Sequence, residues 1–182
     1  MQTEIIIAGF GGQGILFAGA LLAYTAMDYG LEVTWIPSYG PEMRGGTANC
    51  TVIISDEEIG APMVAHPSAA VAMNRPSLDK MEALVKPGGL LIVNGSMVDR
   101  AVNRTDIHVV VLPASEIAER IGDKRLTNMV MLGALLTNLN VVPVAALEKA
   151  IQGHTPARHL RFVPMNLKAV HEGAAFIQTP VS

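Results

Sequence analysis

Ile5-Ile6-Ile7-Ala8 is a β-branched run that stops at a glycine, and a short apolar run of this kind reads as a strand covered on both faces. Gly9 to Gly14 reads as a turn. From Ile15 through Tyr29 the chain is rich in Leu and Ala and reads as a helix, with Gly30 where a helix C-terminal glycine belongs. Val33-Thr34-Trp35-Ile36 reads as the next strand, which closes a β-turn-α-β segment of the size of one crossover unit (roughly 30 residues or more). A loop from Pro37 to Gly46 leads to a strand from Thr47 to Ile54 and a solvated turn at Asp56-Glu57-Glu58. Ala69 to Met73 is a short buried strand, and Ser77 caps a helix that runs through Leu84. Lys86 to Gly89 turns the chain into strand Leu90–Val93. His108–Leu112 is the last clear strand. Helices are expected at Ala114–Ile121, Asn128–Leu139, Val144–Ile151 and Asn166–Phe176. Strands alternate with helices early and helices dominate late. The pattern predicts an α/β, Rossmann-like fold: a mostly parallel sheet with helices on both faces. A single domain is expected over residues 1–182, helical from about residue 128 onward.

Composition changes this picture in one respect. Hydrophobic residues make up 50% of the chain and charged residues only 16%, whereas a typical soluble domain carries about 25% charged residues. Two explanations stay open: part of the surface is covered by partners, or the sheet is simply covered on both faces. The net charge is −3 with no basic block, which gives no support to nucleic-acid or membrane-surface binding. The single cysteine, Cys50, excludes an internal disulfide and a self-contained iron–sulfur cluster, which takes about four thiolates. Met1-Gln2-Thr3-Glu4 lacks the basic start of a secretory signal. The apolar stretches 15–27 and 129–147 are too short or too interrupted to span a bilayer. A cytoplasmic protein is expected.

The chemistry concentrates in two loops. Gly9-Phe10-Gly11-Gly12-Gln13-Gly14 fits G-x-G-x-x-G, with a strand before it and a helix after it. Glycines allow the tight turn and a close backbone approach, and the free amides of the helix start bind anions. The acid expected about twenty residues on, at the end of the second strand, is absent. That strand ends Ile36-Pro37-Ser38, and Glu32 stands at its beginning. Gln13 is available to a ligand or a neighbouring subunit. The alternative is that the glycines serve close helix–strand packing alone. Ser38-Tyr39-Gly40-Pro41-Glu42-Met43-Arg44-Gly45-Gly46 follows the second strand, on the side where doubly wound sheets hold their ligands. Arg44, set between flexible residues, suits a phosphate or carboxylate, with Ser38, Gly45 and Gly46 beside it. Tyr39, Glu42 and Met43 suit contact with a partner. The competing reading is a surface turn with a local Glu–Arg pair.

No catalytic constellation accompanies these loops. The five histidines match no zinc spacing, and His154 and His159 sit in a Pro-containing segment where a helical i, i+4 pair is not available. Cys50 reads as a small buried hydrophobe. The serines lack a nucleophile elbow, there is no Walker lysine motif, and Gly122-Asp123-Lys124 is not the Gly-Asp-Gly that opens a thiamine diphosphate site.

The two loops, together with Asn74-Arg75-Pro76-Ser77-Leu78-Asp79, Lys86-Pro87-Gly88-Gly89 and Asn128-Met129-Val130-Met131-Leu132-Gly133-Ala134, resemble the gamma subunit of 2-oxoacid:ferredoxin oxidoreductases. The resemblance covers nearly the whole chain and weakens after His154. It implies a complex that decarboxylates a 2-oxoacid on thiamine diphosphate, passes electrons through iron–sulfur clusters to ferredoxin and forms an acyl-CoA. Catalytic and ferredoxin-type subunits would hold the thiamine diphosphate, magnesium and clusters. This chain would bind none of them alone and would support the active site; on this resemblance the turn at Gly9–Gly14 and the loop at Arg44 either contact coenzyme A phosphates or dock the catalytic subunits. The form of the second loop looks most like the 2-oxoglutarate branch, ahead of the pyruvate and branched-chain branches. On this reading the isolated chain is inactive and is left free to self-associate. Two rivals stay open: a stand-alone NAD(P)-binding oxidoreductase, and a non-catalytic nucleotide- or CoA-binding module.

Overall fold

The computed structural model describes residues 1–38 and 47–176. Six strands form one mixed sheet: β1 (Gln2–Phe10), β2 (Glu32–Ser38), β3 (Thr47–Ser55), β4 (Ala69–Ala72), β5 (Leu90–Asn94) and β6 (His108–Leu112). Their spatial order is β2-β3-β1-β4-β5-β6. β1, β4, β5 and β6 are mutually parallel. β3 runs antiparallel to both β1 and β2, so β2 points the same way as β1. The expected parallel majority is present. The first crossover differs from expectation, because β2 does not lie beside β1. Helix α1 (Ile15–Asp28) carries the chain one position too far, and β3 returns through the gap.

The helices divide unequally between the faces. α1, α3 (Ala114–Ile121), α4 (Thr127–Leu139), α5 (Val144–His154) and α6 (Val163–Ala174) share one apolar core with the sheet. Among the described residues α2 (Arg75–Leu84) is the one helix on the other face, over Ile6, Ala8, Ala72 and Leu91, with Val98, Val102 and Ile107 beside it. Alternation along β1 explains both cores: Ile5 and Ile7 point to the first, Ile6 and Ala8 to the second. α4 is buried from Thr127 through Leu136 without a break because it lies between the sheet and α6. At the α4–α6 crossing two glycines face the partner's main chain. A Cβ on Gly133 would meet the Val170 carbonyl, and one on Gly173 would meet the Val130 carbonyl.

Two boundaries differ from expectation for local reasons. Pro37 and Ser38 belong to β2 rather than to the loop, paired with Cys50 and Asn49. Ser77 does not cap α2: Asn74 does, its side chain accepting from Ser77 N at 3.0 Å, with Pro76 in the first helical turn. α6 also starts earlier than expected, at Val163, and ends at Ala174.

The strand-start end of the sheet is tied down by charge. Ser68 Oγ donates to Glu4 at 2.5 Å, and Lys86 Nζ donates to Ser68 Oγ at 2.7 Å. Glu82 is 8% exposed; it accepts from the Asn103 and Arg104 amides and pairs with Arg100 at 2.7 Å. Arg104 Nη1 in turn donates to the Glu82 and Val85 carbonyls that end α2. Among the described residues no helix is long and apolar enough to cross a membrane.

Candidate functional site

The order of strands reverses at β1: the chain goes from β1 to one side for β2 and to the other for β4. A doubly wound sheet opens a ligand crevice at such a switch point, beyond the strand C-termini. The glycine turn stands there, after β1, with the β4–α2 junction beside it.

Each residue of the turn has a distinct job. Gly9 is still within β1, and a side chain there would meet Ile15, Gln13 and Met73. Gly14 precedes α1 with φ 72, and a Cβ there would meet the Asn128 amide. These two positions carry the close packing that was the alternative reading of the glycines. Gly12 has open space around it and is exposed, and Gly11 is half-buried. Gln13 Oε1 accepts from Phe10 N at 2.7 Å and from Asn74 Nδ2 at 3.1 Å, which ties the turn to the β4–α2 junction. Among the described residues no side chain caps α1, so its first-turn amides keep their donor capacity for a ligand.

Around this turn lies a crevice of about 240 Å³, lined by Gly12, Gln13, Met73, Lys124, Arg125 and Thr127 among others. Asn94 holds its floor, with Nδ2 donating to Met73 O at 3.2 Å and to Ser115 Oγ at 2.9 Å. Asn128, at the start of α4, donates to Gly14 O at 3.2 Å and ties the start of α1 to α4, which continues from a 3₁₀ turn, Lys124–Leu126, capped by Asp123. Lys124 and Arg125 bring positive charge. Both are exposed and held by acidic neighbours, Lys124 by Glu119 at 3.4 Å and Arg125 by Asp123 at 2.6 Å. Two exposed cations, open glycine backbone and the start of α1 together suit an anionic, phosphate-bearing group.

Lys124, Arg125 and Asn128 are the site residues that sequence reasoning missed. The signal available was two adjacent cations directly before a helix, in a chain poor in charge. Of the second loop, Ser38 is exposed at the end of β2 and Thr47 pairs with Phe10. Both ends of that loop therefore lie at the crevice end of the sheet, and Ser38 stands two strands from the glycine turn. Tyr39, Glu42, Met43, Arg44, Gly45 and Gly46 lie outside the described residues. Glu32 begins β2, at the far end from the crevice, where it reaches no ribose.

Cys50 is fully buried behind α1, and burial pushes its thiol up to about 11. His154 Nε2 lies 2.8 Å from Asp28 and its ring stacks on Tyr24 at 4.3 Å. Among the described residues no three His, Cys, Asp or Glu side chains gather to hold a metal. A larger but shallow hollow of about 710 Å³ sits at the strand-start end around Thr3, Ser68 and Lys86. Its lysine and serine are engaged with Glu4, and it lies opposite the switch-point crevice.

Residues 4–176 match the pyruvate ferredoxin/flavodoxin oxidoreductase family. The chain is 43% identical to the 2-oxoglutarate synthase subunit KorC of Methanothermobacter marburgensis, over 86% of this chain and 88% of that protein. It spans only 36% of the length of the ketoisovalerate oxidoreductase subunit VorA of Methanothermobacter thermautotrophicus, at 37% identity over 95% of this chain. A keto/oxoacid ferredoxin oxidoreductase gamma subunit from Geobacter sulfurreducens has a similar structure, with a TM-score of 0.82 and 33% identity over 94% of this chain and 96% of that one. A 2-oxoglutarate:ferredoxin oxidoreductase from Magnetococcus marinus, with 2-oxoglutarate, coenzyme A and succinyl-CoA bound, matches with a TM-score of 0.86 and 25% identity, over 96% of this chain and 30% of that one. By its sequence and by its fold, the chain belongs to the pyruvate ferredoxin/flavodoxin oxidoreductase family.

Proposed function

We propose that this chain serves as the gamma subunit of a 2-oxoacid:ferredoxin oxidoreductase and that its switch-point crevice takes phosphates of coenzyme A. The observation that carries the reading is Lys124 and Arg125 beside the open Gly12 backbone, at the end of the sheet where such folds bind ligands. The chemistry of the donor groups points the same way. Coenzyme A brings phosphates, and the crevice offers amides and cations. Iron–sulfur clusters need thiolates, and the one thiol is buried and protonated. Thiamine diphosphate, magnesium and the clusters are assigned to partner subunits.

A partner-covered surface also fits the outside of the molecule. Tyr24, Met27 and Tyr29 on and after α1, with Trp35 and Ile36 on the edge strand β2, are large apolar residues left exposed. The preferred oxoacid is 2-oxoglutarate, because the KorC relative matches over nearly its whole length and at the higher identity. The chain works inside the complex and does not turn over substrate alone.

Kinetics of the native complex carrying Lys124→Gln and Arg125→Gln test the crevice. The KM for coenzyme A should rise about tenfold, as expected for charge-assisted phosphate contacts. The KM for the oxoacid should stay near wild type. An unchanged KM for coenzyme A overturns the assignment. Appreciable oxoacid oxidation by the purified chain alone overturns the subunit reading.

A further inference from the structure

A second cleft, of about 230 Å³, shares Arg125 with the glycine-turn crevice. Its walls come from Phe17 in α1, Asn128 in α4, His159 and Phe162 in the 3₁₀ stretch Ala157–Phe162, and Asn166 in α6. Asn128 also lines the cleft and donates to Gly14 O, at the end of the glycine turn. Each hollow alone is smaller than the roughly 300–1,000 Å³ of a complete small-molecule site, so neither by itself holds a whole nucleotide-sized ligand.

The cleft is aromatic, its wall includes the Asp123 carboxylate that Arg125 holds, and the stretch that supplies His159, Phe162 and Asn166 is basic. The rings of His159 and Phe162 lie 6.0 Å apart at 35°. The Arg161 guanidinium sits 4.8 Å over the Phe162 ring. Phe17 is 51% exposed although it belongs to the first turn of α1. Between Glu148 and Glu172 the chain has no carboxylate, yet Lys149, Arg158, Arg161 and Lys168 occur there, in a protein of net charge −3. Asn128 and Asn166 offer amide donors and acceptors at the walls. Arg125 holds Asp123 through Nε and Nη2, and its Nη1 has no partner among the described residues.

We propose that this cleft seats the planar heteroaromatic base of a nucleotide-type ligand whose phosphates lie at Arg125 and the glycine turn. The proposal rests on the reading of the crevice as a phosphate site and adds where the rest of the ligand goes. A base gains stacking on the aromatic rings and edge hydrogen bonds from the two asparagines, and neither asks for an acidic ribose clamp after β2. Arg125 stands where base and phosphate halves join.

Titration of the isotope-labelled full chain by NMR, with adenosine diphosphate and with inorganic pyrophosphate as probes, separates the two claims. Adenosine diphosphate should bind about tenfold more tightly than pyrophosphate, with shifts at Phe17, His159 and Phe162 as well as Gly12 to Gly14. Phe162→Ala should weaken adenosine diphosphate about tenfold and leave pyrophosphate as it was. Phe17→Ala, at a position half open to solvent, should act in the same direction. Arg125→Gln should weaken both probes. If pyrophosphate binds in an Arg125-dependent way but adenosine diphosphate binds no better and both phenylalanine variants are indifferent, the cleft assignment is wrong and the phosphate reading stands. If neither probe binds, both fall.

Discussion

The two ends of the sheet use the same kinds of residue for opposite purposes. At the strand starts, charged groups are consumed by the fold. Glu82 is buried against two backbone amides and Arg100, Glu4 is held by Ser68, and Arg104 closes the last carbonyls of α2. At the strand ends, the exposed Lys124 and Arg125 rest on Glu119, which is exposed, and on Asp123, which is half-buried, and the backbone of Gly12 is open. Charge spent on closure and charge kept in reserve are distinguished by burial and by how many partners each group already has. Residue type does not separate them.

Substitutions should reproduce that division, and the largest effect is expected at Glu82. Glu82→Ala removes the acceptor for two amides and one of the two carboxylates that hold Arg100, Asp79 being the other, which should cost about 2 kcal/mol of stability. Chemical denaturation measures the loss, and an unchanged midpoint would show that the strand-start end is no clamp. Acid should erode the same end. Burial pushes the Glu82 carboxyl up, but the Asn103 amide and Arg100 outweigh it and hold the group below the ordinary 4.5. Burial likewise raises Glu4, and the hydroxyl of Ser68 and the side chain of Gln2 bring it below 4.5. Groups lowered in the folded state stabilise fully above the unfolded value and lose that contribution as pH falls through the folded one. Stability should therefore decline below about pH 4.5, and Glu82→Gln should flatten the decline. Ser68→Ala removes one hydroxyl bridge and should cost about 1 kcal/mol by the same denaturation measurement. Smallest of all, Arg125→Gln should leave the melting temperature of the chain where it was, in contrast to its effect on coenzyme A binding. A melting temperature that falls with Arg125 as far as with Glu82 would erase the distinction between the two ends.

How much of this was legible beforehand follows from the range of the interactions involved. α1, α3 and β6 were readable because their apolar spacing and flanking turns are local signals. The glycine turn was readable for the same reason, although its glycines turned out to divide the labour: Gly9 and Gly14 fit tight packing, while Gly12 faces open space. The insertion of β3 between β1 and β2 was not readable. A strand from Thr47 to Ser55 carries the same pattern wherever it is placed, and its register depends on pairing across forty-odd positions. Asn74 and Ser77 are both good capping types. Pro76 decides between them, because a proline belongs in the first turn of a helix that starts at Arg75. Lys124, Arg125 and Asn128 join the site from more than a hundred residues away, and only the folded chain brings them to Gly12 and Gly14.

The glycine crossing of α4 and α6 has a consequence for ligand fit. Gly133 and Gly173 let main chain rest directly on main chain, so the spacing of the two helices is fixed by peptide units, which cannot change rotamer as side chains do. Asn128 and Asn166 project from the N-terminal ends of those same helices. The crossing thus acts as a rigid gauge for the gap between them, and a single methyl group placed at it would widen a cavity whose own walls had not been touched.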